Sequence, residues 1–280
     1  MTEKLVSVII TSFNREKYVA DAIESALGQT HANIEIVLVD DASTDTTSQI
    51  TSSYGKKDER IKIITNETNQ GVAKSLNRGI DAAAGEYLAI LDADDAWADP
   101  KKLQKQIAFL ESHGEYSLAG GGAIVRDASG KEISRYLLPE GDRDIKKHLL
   151  VDNCFVHSTV VFRKKDWKAA GGYDASLPVD WDWAWCLELG KIGKLYNFSE
   201  YFTYYLQWDG NISNLDAKKN LITRLMLLNR YKKQYPGHIK SFLLAWCAYF
   251  YSFLPFKKNL RPVLLKARNV FFGKSVIHEK

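Results

Sequence analysis

The chain has 280 residues, of which 45% are apolar and 26% are charged. That apolar content is enough to bury a core, which excludes the disordered and collagen-like classes. The three cysteines, Cys154, Cys186 and Cys247, lie far apart and form no C-x-x-C pair, which excludes a disulfide framework and a zinc knuckle and predicts a reducing compartment.

The net charge of +4 averages two unlike parts of the chain. Residues 217–280 carry 14 basic residues against one acid, a net charge of +13, whereas the first 216 residues carry 24 against 33, a net charge of −9. An acidic body with a basic tail predicts contact with an anionic surface. A merely solvated basic pair of helices is the alternative.

The N-terminal segment does not have the pattern of an export signal. Its apolar run, Leu5–Ile10, is shorter than the roughly 7 to 15 residues of a signal core, and no cleavage site follows it. We therefore expect a cytoplasmic protein.

Four apolar, β-branched runs in the first hundred residues predict buried strands: Val6–Thr11, Ile34–Asp41, Ile61–Thr65 and Tyr87–Asp92. Helical spacing separates them, from Val19 to Leu27 and from Val72 to Ile80. Strands alternating with helices predict right-handed crossovers and a mostly parallel α/β sheet. Such sheets bind ligands beyond the carboxyl ends of their strands.

A further helix has clear boundary residues, with Asp99 as N-cap, Pro100 at the first position and Gly114 after the end. After Gly120-Gly121-Gly122 the pattern becomes less regular. Short strand-like runs remain at Ala123–Arg126 and Ser158–Arg163, and this half is expected to complete the sheet and wall the cleft.

From Leu221 onward the sequence is helical. The run Phe242–Leu254 is apolar for 13 residues apart from Ser252, whereas a membrane span needs about 20. Lys257, Lys258 and Arg261 follow directly. This pattern predicts a helix lying in the surface of an anionic bilayer.

Two acidic clusters follow predicted strands, Asp40-Asp41 and Asp92-Ala93-Asp94-Asp95. Carboxylates crowded at one sheet edge repel each other. A hard divalent ion, Mg²⁺ or Mn²⁺, would relieve that repulsion beside a diphosphate. Solvated turns are the alternative for such clusters.

The first strand ends in Thr11-Ser12-Phe13-Asn14-Arg15, which supplies amide, hydroxyl and backbone donors suitable for a nucleotide. The sequence contains neither G-x-G-x-x-G nor G-x-x-x-x-G-K-[ST]. Dinucleotide dehydrogenases and P-loop NTPases are therefore excluded.

Four motifs in order resemble the family-2 inverting glycosyltransferases of the GT-A fold, of the type found in bacterial surface-polysaccharide synthesis. They are Val6–Asn14, Val39–Asp45, Asn69–Ala73 and Asp92–Asp95. The resemblance spans residues 5 to about 214. It implies a GT-A domain over residues 1–215, with a nucleotide-binding half at 1–115 and an acceptor half at 116–215, and it leaves 216–280 as a basic helical extension.

The resemblance also implies roles for the donor side. Thr11 and Asp41 would contact a uracil or thymine base, and Asp92 would face the ribose or a metal-bound water. Asp94 would hold the metal, or Asp95 if the motifs are shifted by one residue. The remaining expected nucleotide contacts are Ser12, Asn14, Arg15, Ala93 and Lys74, the last of which equally fits a solvated helix face.

Further on, Gly171-Gly172-Tyr173-Asp174 and Val179–Trp185 resemble the family's G-G-[FY]-D and E-D-x-D-x-W segments. Asp180 falls where the family places its catalytic base. A single base suffices for inversion, because a retaining displacement would need a second nucleophile. Val179 replaces the usual acid before the base, and Gln207-Trp208-Asp209 stands where relatives often carry Arg and His.

The tentative acceptor residues are His157, Trp181, Asp182 and Trp208. For His157 a structural role is the alternative. For Trp181, Trp183 and Trp185, packing of at least two of the three is the more expected outcome.

The resemblance implies an inverting, metal-dependent enzyme that moves a hexose or N-acetylhexosamine from a UDP- or dTDP-sugar onto a hydroxyl of a growing glycan. The basic aromatic tail predicts that this acceptor is lipid-linked. The enzyme would act at the inner face of the cell membrane and bind no nucleic acid. A catalytically silent nucleotide-sugar-binding subunit of a polysaccharide complex is the alternative.

Overall fold

The computed structural model describes residues 3–207, 217–253 and 277–279. The first half alternates strands and helices, its four predicted strands are correct to within one residue, and its second helix, α2, was not predicted. The elements are β1 (Val6–Ser12), α1 (Val19–Leu27), β2 (Ile34–Asp40), α2 (Thr47–Lys57), β3 (Ile61–Thr65), α3 (Val72–Ala82) and β4 (Tyr87–Asp92).

The second half is less regular. Its elements are β5 (Ala96–Trp97), α4 (Lys102–Ser112), β6 (Tyr116–Arg126), β7 (Glu132–Leu137), α5 (Asp142–His148), a 3₁₀ turn (His157–Thr159), β8 (Val161–Arg163), α6 (Lys164–Ala169), α7 (Trp181–Ile192), β9 (Lys194–Leu206), α8 (Ala217–Tyr231), α9 (His238–Tyr251) and β10 (Ile277–Glu279).

One mixed sheet runs through the molecule in the order β10-β7-β6-β8-β4-β1-β2-β3, with β9 paired to β5 and β6. The strands β4, β1, β2 and β3 are parallel, which confirms the prediction for the first half. In the second half β8 is antiparallel to β4 and β6, and β7 is antiparallel to β6. The carboxyl ends of β1, β2 and β4 therefore meet at one edge.

The strand expected over Ala123–Arg126 begins earlier, at Tyr116, so that Gly120–Gly122 lie inside β6. A Cβ on Gly120 would collide with Asn197 and Phe155, and one on Gly121 would collide with Phe202. The glycines thus allow large side chains to pack directly on the strand backbone.

Two predicted boundaries also differ. The helix predicted from Pro100 begins at Lys102, although the Asp99 side chain still accepts a 2.8 Å hydrogen bond from the Lys101 backbone N–H in the preceding turn. The strand predicted over Ser158–Arg163 starts only at Val161, because His157–Thr159 forms a 3₁₀ turn.

Alternation along β1 divides the core between the two faces of the sheet. Val6, Val8 and Ile10 pack with α1 and α4, whereas Ile9 faces a second cluster that includes side chains of α3 and α7. This is the period-2 pattern of a strand buried on both faces.

The helix α8 belongs to that second cluster. Leu227, Leu228 and Tyr231 are buried in it, and the Tyr231 hydroxyl donates a 2.7 Å hydrogen bond to Glu188 of α7. The expected boundary at residue 216 therefore separates elements that share one core. A chain truncated after Asp216 would lose α8 and expose this shared core, so any change in its behaviour would combine loss of the extension with damage to the remaining domain.

Within residues 3–207 and 217–253, no helix combines the length and the apolar content needed to cross a bilayer.

The side chain of Lys102, at the start of α4, is fully buried. Its Nζ lies 4.2 Å from the centroid of the Trp97 ring and has no hydrogen-bond partner among the described residues. Burial lowers the pKa of Lys102 well below its ordinary value of 10.5, and Asp99 only partly opposes this shift. A buried amine without a hydrogen bond destabilises the fold.

We expect Lys102→Met to raise the free energy of unfolding by about 1–3 kcal/mol, because methionine fills similar space without a polar atom. In the wild type, Lys102 is protonated in the unfolded chain up to about pH 10.5 and loses that proton on folding. The free energy of unfolding of the wild type therefore rises with pH, and its difference from that of Lys102→Met shrinks toward pH 10.5. Urea unfolding at several pH values measures this. The control, Lys101→Met, removes the same charge from an exposed side chain, and an equal effect of both variants would contradict the prediction.

Candidate active site

A cleft of about 770 Å³ lies at the carboxyl ends of β1, β2 and β4. Both Asp94, after β4, and Asp180, before α7, line it, as the sequence predicted. The segments 69–75, 153–158 and 175–182 form other parts of the wall. The predicted site residues that line the cleft are Thr11, Ser12, Arg15, Asp41, Lys74, Asp92, Ala93, Asp94, Asp95, His157, Asp180, Trp181 and Asp182.

Two predicted residues are not among them. Trp208 lies outside the described residues. Asn14 is placed elsewhere, because its Oδ1 accepts a 2.8 Å hydrogen bond from the Thr44 N–H and holds the loop that leads to α2. Its backbone is left-handed, with φ of 53°, which directs the side chain to that loop. Asn14 therefore shapes the cleft indirectly and does not line it.

Asp41 connects the end of β2 to the start of α3. Its buried carboxylate accepts a 2.6 Å hydrogen bond from Asn66 Nδ2 and 2.8 Å hydrogen bonds from the backbone N–H groups of Gln70 and Gly71. A carboxylate offers about four acceptor positions, and three of them are used within the described part of the chain. Asp41 therefore fixes the segment that forms one wall of the cleft.

Arg15 forms an ion pair with Asp94, with 3.1 Å between Nε and Oδ2. Both side chains are 20% exposed and face the cleft, and Arg15 Nη1 also donates to the carbonyl of Phe13. The protein's own guanidinium thus offsets part of the acidic charge that was expected to require a metal ion.

Asp95 is buried and bonded to its neighbours. Ser158 Oγ donates to its Oδ2, and the Leu206 N–H donates to its Oδ1 over 2.9 Å. Burial and the charges of Asp92 and Asp94 raise its pKa well above the ordinary value. Asp95 thus connects β4 to the end of β9, which leaves Asp94 as the better placed of the two expected metal ligands.

No cluster of three or more metal-binding side chains occurs in residues 3–207 and 217–253. Asp94 presents one partly exposed carboxylate to the cleft. Mg²⁺ is commonly held in this way, by one or two carboxylates together with water and substrate phosphates. The residues present therefore fit an ion that arrives with a diphosphate, and they do not form a preassembled metal cage.

A chain of hydrogen-bonding side chains runs from the partly exposed Asp92 to the buried Tyr173. His157 Nδ1 lies 3.1 Å from Asp92 Oδ1, and His157 Nε2 lies 3.1 Å from the Tyr173 hydroxyl. Burial opposes protonation of His157, but the charge of Asp92 and the hydrogen bond to it outweigh burial and raise the pKa of His157. His157 thus orients Asp92 in addition to lining the half of the cleft where we expected the acceptor.

Asp180 precedes the first turn of α7 in a left-handed conformation, with φ of 57°. This conformation is unusual for a residue other than glycine and is most often found where function requires it. Burial and the nearby charge of Asp182 raise the pKa of Asp180 to about 6, although Arg224 opposes this shift. A carboxylate with such a pKa is a better proton acceptor near neutral pH than an ordinary aspartate.

The three tryptophans of α7 divide as expected between packing and the cleft. Trp185 is buried against Phe162, and Trp183 Nε1 donates a 2.5 Å hydrogen bond to the carbonyl of Leu149. Trp181 is only partly buried and lines the cleft.

The sequence did not single out three aromatic side chains that line the cleft, Phe13, Tyr136 and Tyr205. The ring of Phe13 is 39% exposed although it follows a buried strand. Its place within Thr11–Arg15 was the available signal. Tyr136 and Tyr205 lie on strands whose position beside the cleft depends on the sheet order, so no local pattern marks them.

The model of glycosyl transferase family 2 matches residues 7–169. EpsE of Bacillus subtilis (strain 168), provisionally named as a glycosyltransferase, is 39% identical over 169 residues, which are 60% of this chain and 59% of EpsE. TuaG of the same strain, provisionally named as a teichuronic acid biosynthesis glycosyltransferase, is 40% identical over 126 residues, 45% of this chain and 50% of TuaG. The chain thus spans between half and three fifths of the length of these two relatives.

Solved structures resemble the chain over most of its length. S. aureus TarS 1–349 in complex with UDP-GlcNAc has a TM-score of 0.68 at 18% identity, covering 96% of this chain and 81% of that one. Mannosyltransferase PcManGT from Pyrobaculum calidifontis, in complex with GDP-Man and Mn²⁺, has a TM-score of 0.62 at 17% identity, covering 95% and 75%. At these identities the likeness concerns the fold.

We expect Asp41→Asn to lower the free energy of unfolding by about 1–3 kcal/mol. The N–H groups of Gln70 and Gly71 bond to different carboxylate oxygens, and the NH₂ that replaces one oxygen cannot accept a hydrogen bond. Amide hydrogen exchange of the segment 69–71 is expected to speed up as well. Asp81→Asn, at an exposed position of α3, is the matched control and is expected to change stability by less than about 0.5 kcal/mol. Unchanged exchange at 69–71 in Asp41→Asn would contradict this role.

Proposed function

The chain belongs to glycosyltransferase family 2, and from that membership we propose that it transfers a sugar from a nucleoside diphosphate donor to a hydroxyl acceptor with inversion of configuration. Its fold is the α/β GT-A architecture of the solved relatives. One observation carries the proposal: Asp94 and Asp180, 86 positions apart in the sequence, line the same cleft.

The donor side of the cleft fits a nucleotide. The exposed ring of Phe13 offers a surface for a base to stack on, and Thr11 and Asp41 line the same wall. Arg15 and Lys74 supply positive charge for a diphosphate. We propose a UDP- or dTDP-linked hexose or N-acetylhexosamine as the donor, which is in line with the UDP-GlcNAc complex of TarS.

Asp94 would hold a Mg²⁺ or Mn²⁺ ion that enters with the donor. Such an ion would stabilise the negative charge that develops on the diphosphate as the bond to the anomeric carbon breaks. Before the donor and its ion enter, Arg15 holds the Asp94 carboxylate at the cleft. Asp92, which is oriented by His157, faces the same space. The Mn²⁺ ion in the PcManGT complex supports this proposal.

Asp180 would act as the base. The acceptor hydroxyl is too weakly acidic to ionise at neutral pH, so a carboxylate must take its proton during attack on the anomeric carbon. The raised pKa of Asp180, about 6, suits that task because the group is still mostly ionised at pH 7. Inversion follows when attack occurs opposite the leaving diphosphate without a covalent intermediate.

We assign the acceptor side to Trp181, Asp182 and His157, together with Tyr136 and Tyr205, all of which line the cleft. Aromatic faces suit the C–H faces of sugar rings, and the carboxylate of Asp182 can accept hydrogen bonds from sugar hydroxyls. We propose that the acceptor is a growing cell-surface glycan on a lipid carrier. The teichuronic acid biosynthesis named for TuaG supports this class of product.

The helix α9 would keep the enzyme at the inner membrane surface. It buries little beyond Ser241 and Ala245, and residues 217–253 carry seven lysines and arginines and no acid. An apolar helix face beside excess positive charge favours the surface of an anionic bilayer. The large exposed apolar side chains of α9 and of the two residues that follow it are Ile239, Phe242, Leu243, Phe250 and Phe253.

We expect Asp180→Asn to lower kcat about 10²- to 10⁴-fold in a nucleoside diphosphate release assay with a panel of donor sugars. Asp94→Asn and EDTA should each lower turnover as well, whereas Asp21→Asn, at an exposed position of α1, should not. In the wild type, kcat/KM should rise with pH through about 6 as Asp180 ionises. Turnover that persists in EDTA, or in Asp180→Asn, would show that the roles are wrongly assigned.

We expect the double variant Phe242→Ser, Phe250→Ser to bind vesicles containing phosphatidylglycerol about tenfold more weakly than the wild type, because two exposed aromatic rings no longer enter the lipid. Wild-type binding should weaken with salt and on neutral phosphatidylcholine vesicles. Ile133→Ser is the control, because it removes from β7 an apolar side chain that is as exposed as Phe242. Equal sedimentation of all three proteins with the vesicles would refute the membrane assignment.

A further inference from the structure

We infer that Arg224 of α8 is a positioning residue for Asp180, so that a helix outside the recognised motifs completes the catalytic site. The inference rests on the proposed function, because it assumes that Asp180 is the base. It assigns to α8 a role that neither the sequence motifs nor the cleft lining indicated.

The first step is the set of contacts that Arg224 makes. Its Nη2 donates to the carbonyl of Val151 and lies 3.7 Å from Asp152 Oδ1. Its guanidinium carbon lies 4.9 Å from the centroid of the Trp183 ring, in the first turn of α7. The side chain is 19% exposed, so solvent screens these contacts only in part. Arg224 therefore joins three elements: α8, the segment that follows α5, and α7.

The second step is that the segment held by Arg224 is also bonded to the first turn of α7. Trp183 Nε1 donates to the carbonyl of Leu149, and Asn153 Nδ2 donates a 2.8 Å hydrogen bond to Asp182 Oδ2. Arg224 thus closes a ring of contacts around the residues that directly follow Asp180.

The third step concerns the backbone of Asp180. A left-handed aspartate costs free energy, and it persists only where its surroundings hold it there. The Ala184 N–H donates to the Asp180 carbonyl over 2.9 Å, so Asp180 is tied to the turn that Arg224 packs against. A loose first turn of α7 would let the Asp180 carboxylate move away from the acceptor hydroxyl.

The fourth step is electrostatic. The charged groups that act on Asp180 are Asp182 on α7, Asp152 after α5 and Arg224 on α8. Burial and the two acids raise the pKa of Asp180, and the guanidinium lowers it. Arg224 therefore keeps more of the base ionised near neutral pH than the two acids alone would allow.

The test compares pH profiles of kcat/KM for the wild type, Arg224→Met, Arg224→Lys and the control Arg230→Met. Arg230 lies on the same helix, is 45% exposed and pairs with Asp174, so its loss removes the same charge away from Asp180. We expect the acid limb of the kcat/KM profile to move to higher pH in Arg224→Met, so that kcat/KM at pH 6 falls at least about tenfold.

Arg224→Lys is expected to keep the acid limb in place but to lower kcat, because an ammonium keeps the charge and loses the planar contact with Trp183. Arg230→Met is expected to match the wild type. If Arg224→Met lowers activity equally at every pH, Arg224 is only a packing residue and the inference is wrong.

A double-mutant cycle of Arg224→Met and Asp180→Asn on the free energy of unfolding separates this inference from the proposed function, because it needs no substrate. We expect the two substitutions to be non-additive at pH 8, where Asp180 is ionised, and nearly additive at pH 5, where it is mostly protonated. Additivity at pH 8 would overturn the inference whatever the turnover. Non-additivity without any nucleotide release would overturn the proposed function and leave the pairing intact.

Discussion

The structure around the cleft depends on one constraint, the crowding of carboxylates at a single edge of the sheet. Asp92, Asp94, Asp95, Asp180 and Asp182 all line one space, and the first three and Asp182 are each held by a named group of the protein. These groups differ chemically. The Arg15 guanidinium pairs with Asp94, and the His157 imidazole bonds to Asp92. A hydroxyl and a backbone N–H hold Asp95, and the Asn153 amide holds Asp182. The different surroundings explain why the pKa of Asp92 is lowered whereas that of Asp180 is raised.

Strained backbone is concentrated where the chain turns into this cleft. The three left-handed residues other than glycine in the described part of the chain are Asn14, Ala42 and Asp180, which follow β1, follow β2 and precede α7. Asn14 and Ala42 turn the chain beside Arg15 and Asp41, on the side of the cleft proposed to bind the nucleotide, and Asp180 lies on the proposed acceptor side. The surrounding hydrogen bonds hold these conformations, so the rigidity of the sheet edge is transmitted to the functional groups.

The C-terminal helices extend this arrangement in two directions. The buried face of α8 shares the core with α7 and packs Arg224 against Trp183, near the proposed base, whereas α9 exposes apolar side chains in a segment rich in basic residues. Membrane attachment and the orientation of Asp180 would therefore involve adjoining helices. This explains why a boundary drawn at residue 216 from charge alone divides a structural unit: net charge describes the surface, and the core is set by buried apolar side chains.

Local pattern alone determined β1 to β4, α1, α3, the acidic clusters at strand ends and the family resemblance, because periodicity and motif spacing are properties of neighbouring residues. It also indicated that Asp94 and Asp180 would converge. Tertiary structure alone decided which of the expected site residues are free to act, because Asp95 and Asn14 bond to protein partners far away in sequence. It also placed Gly120–Gly122 inside a strand, where side chains distant in sequence pack on them. The role of Arg224 was equally invisible, because its contacts with Asp152 and Trp183 arise only when α8 packs against α7. Contacts between residues far apart in the chain leave no periodic trace in a single sequence.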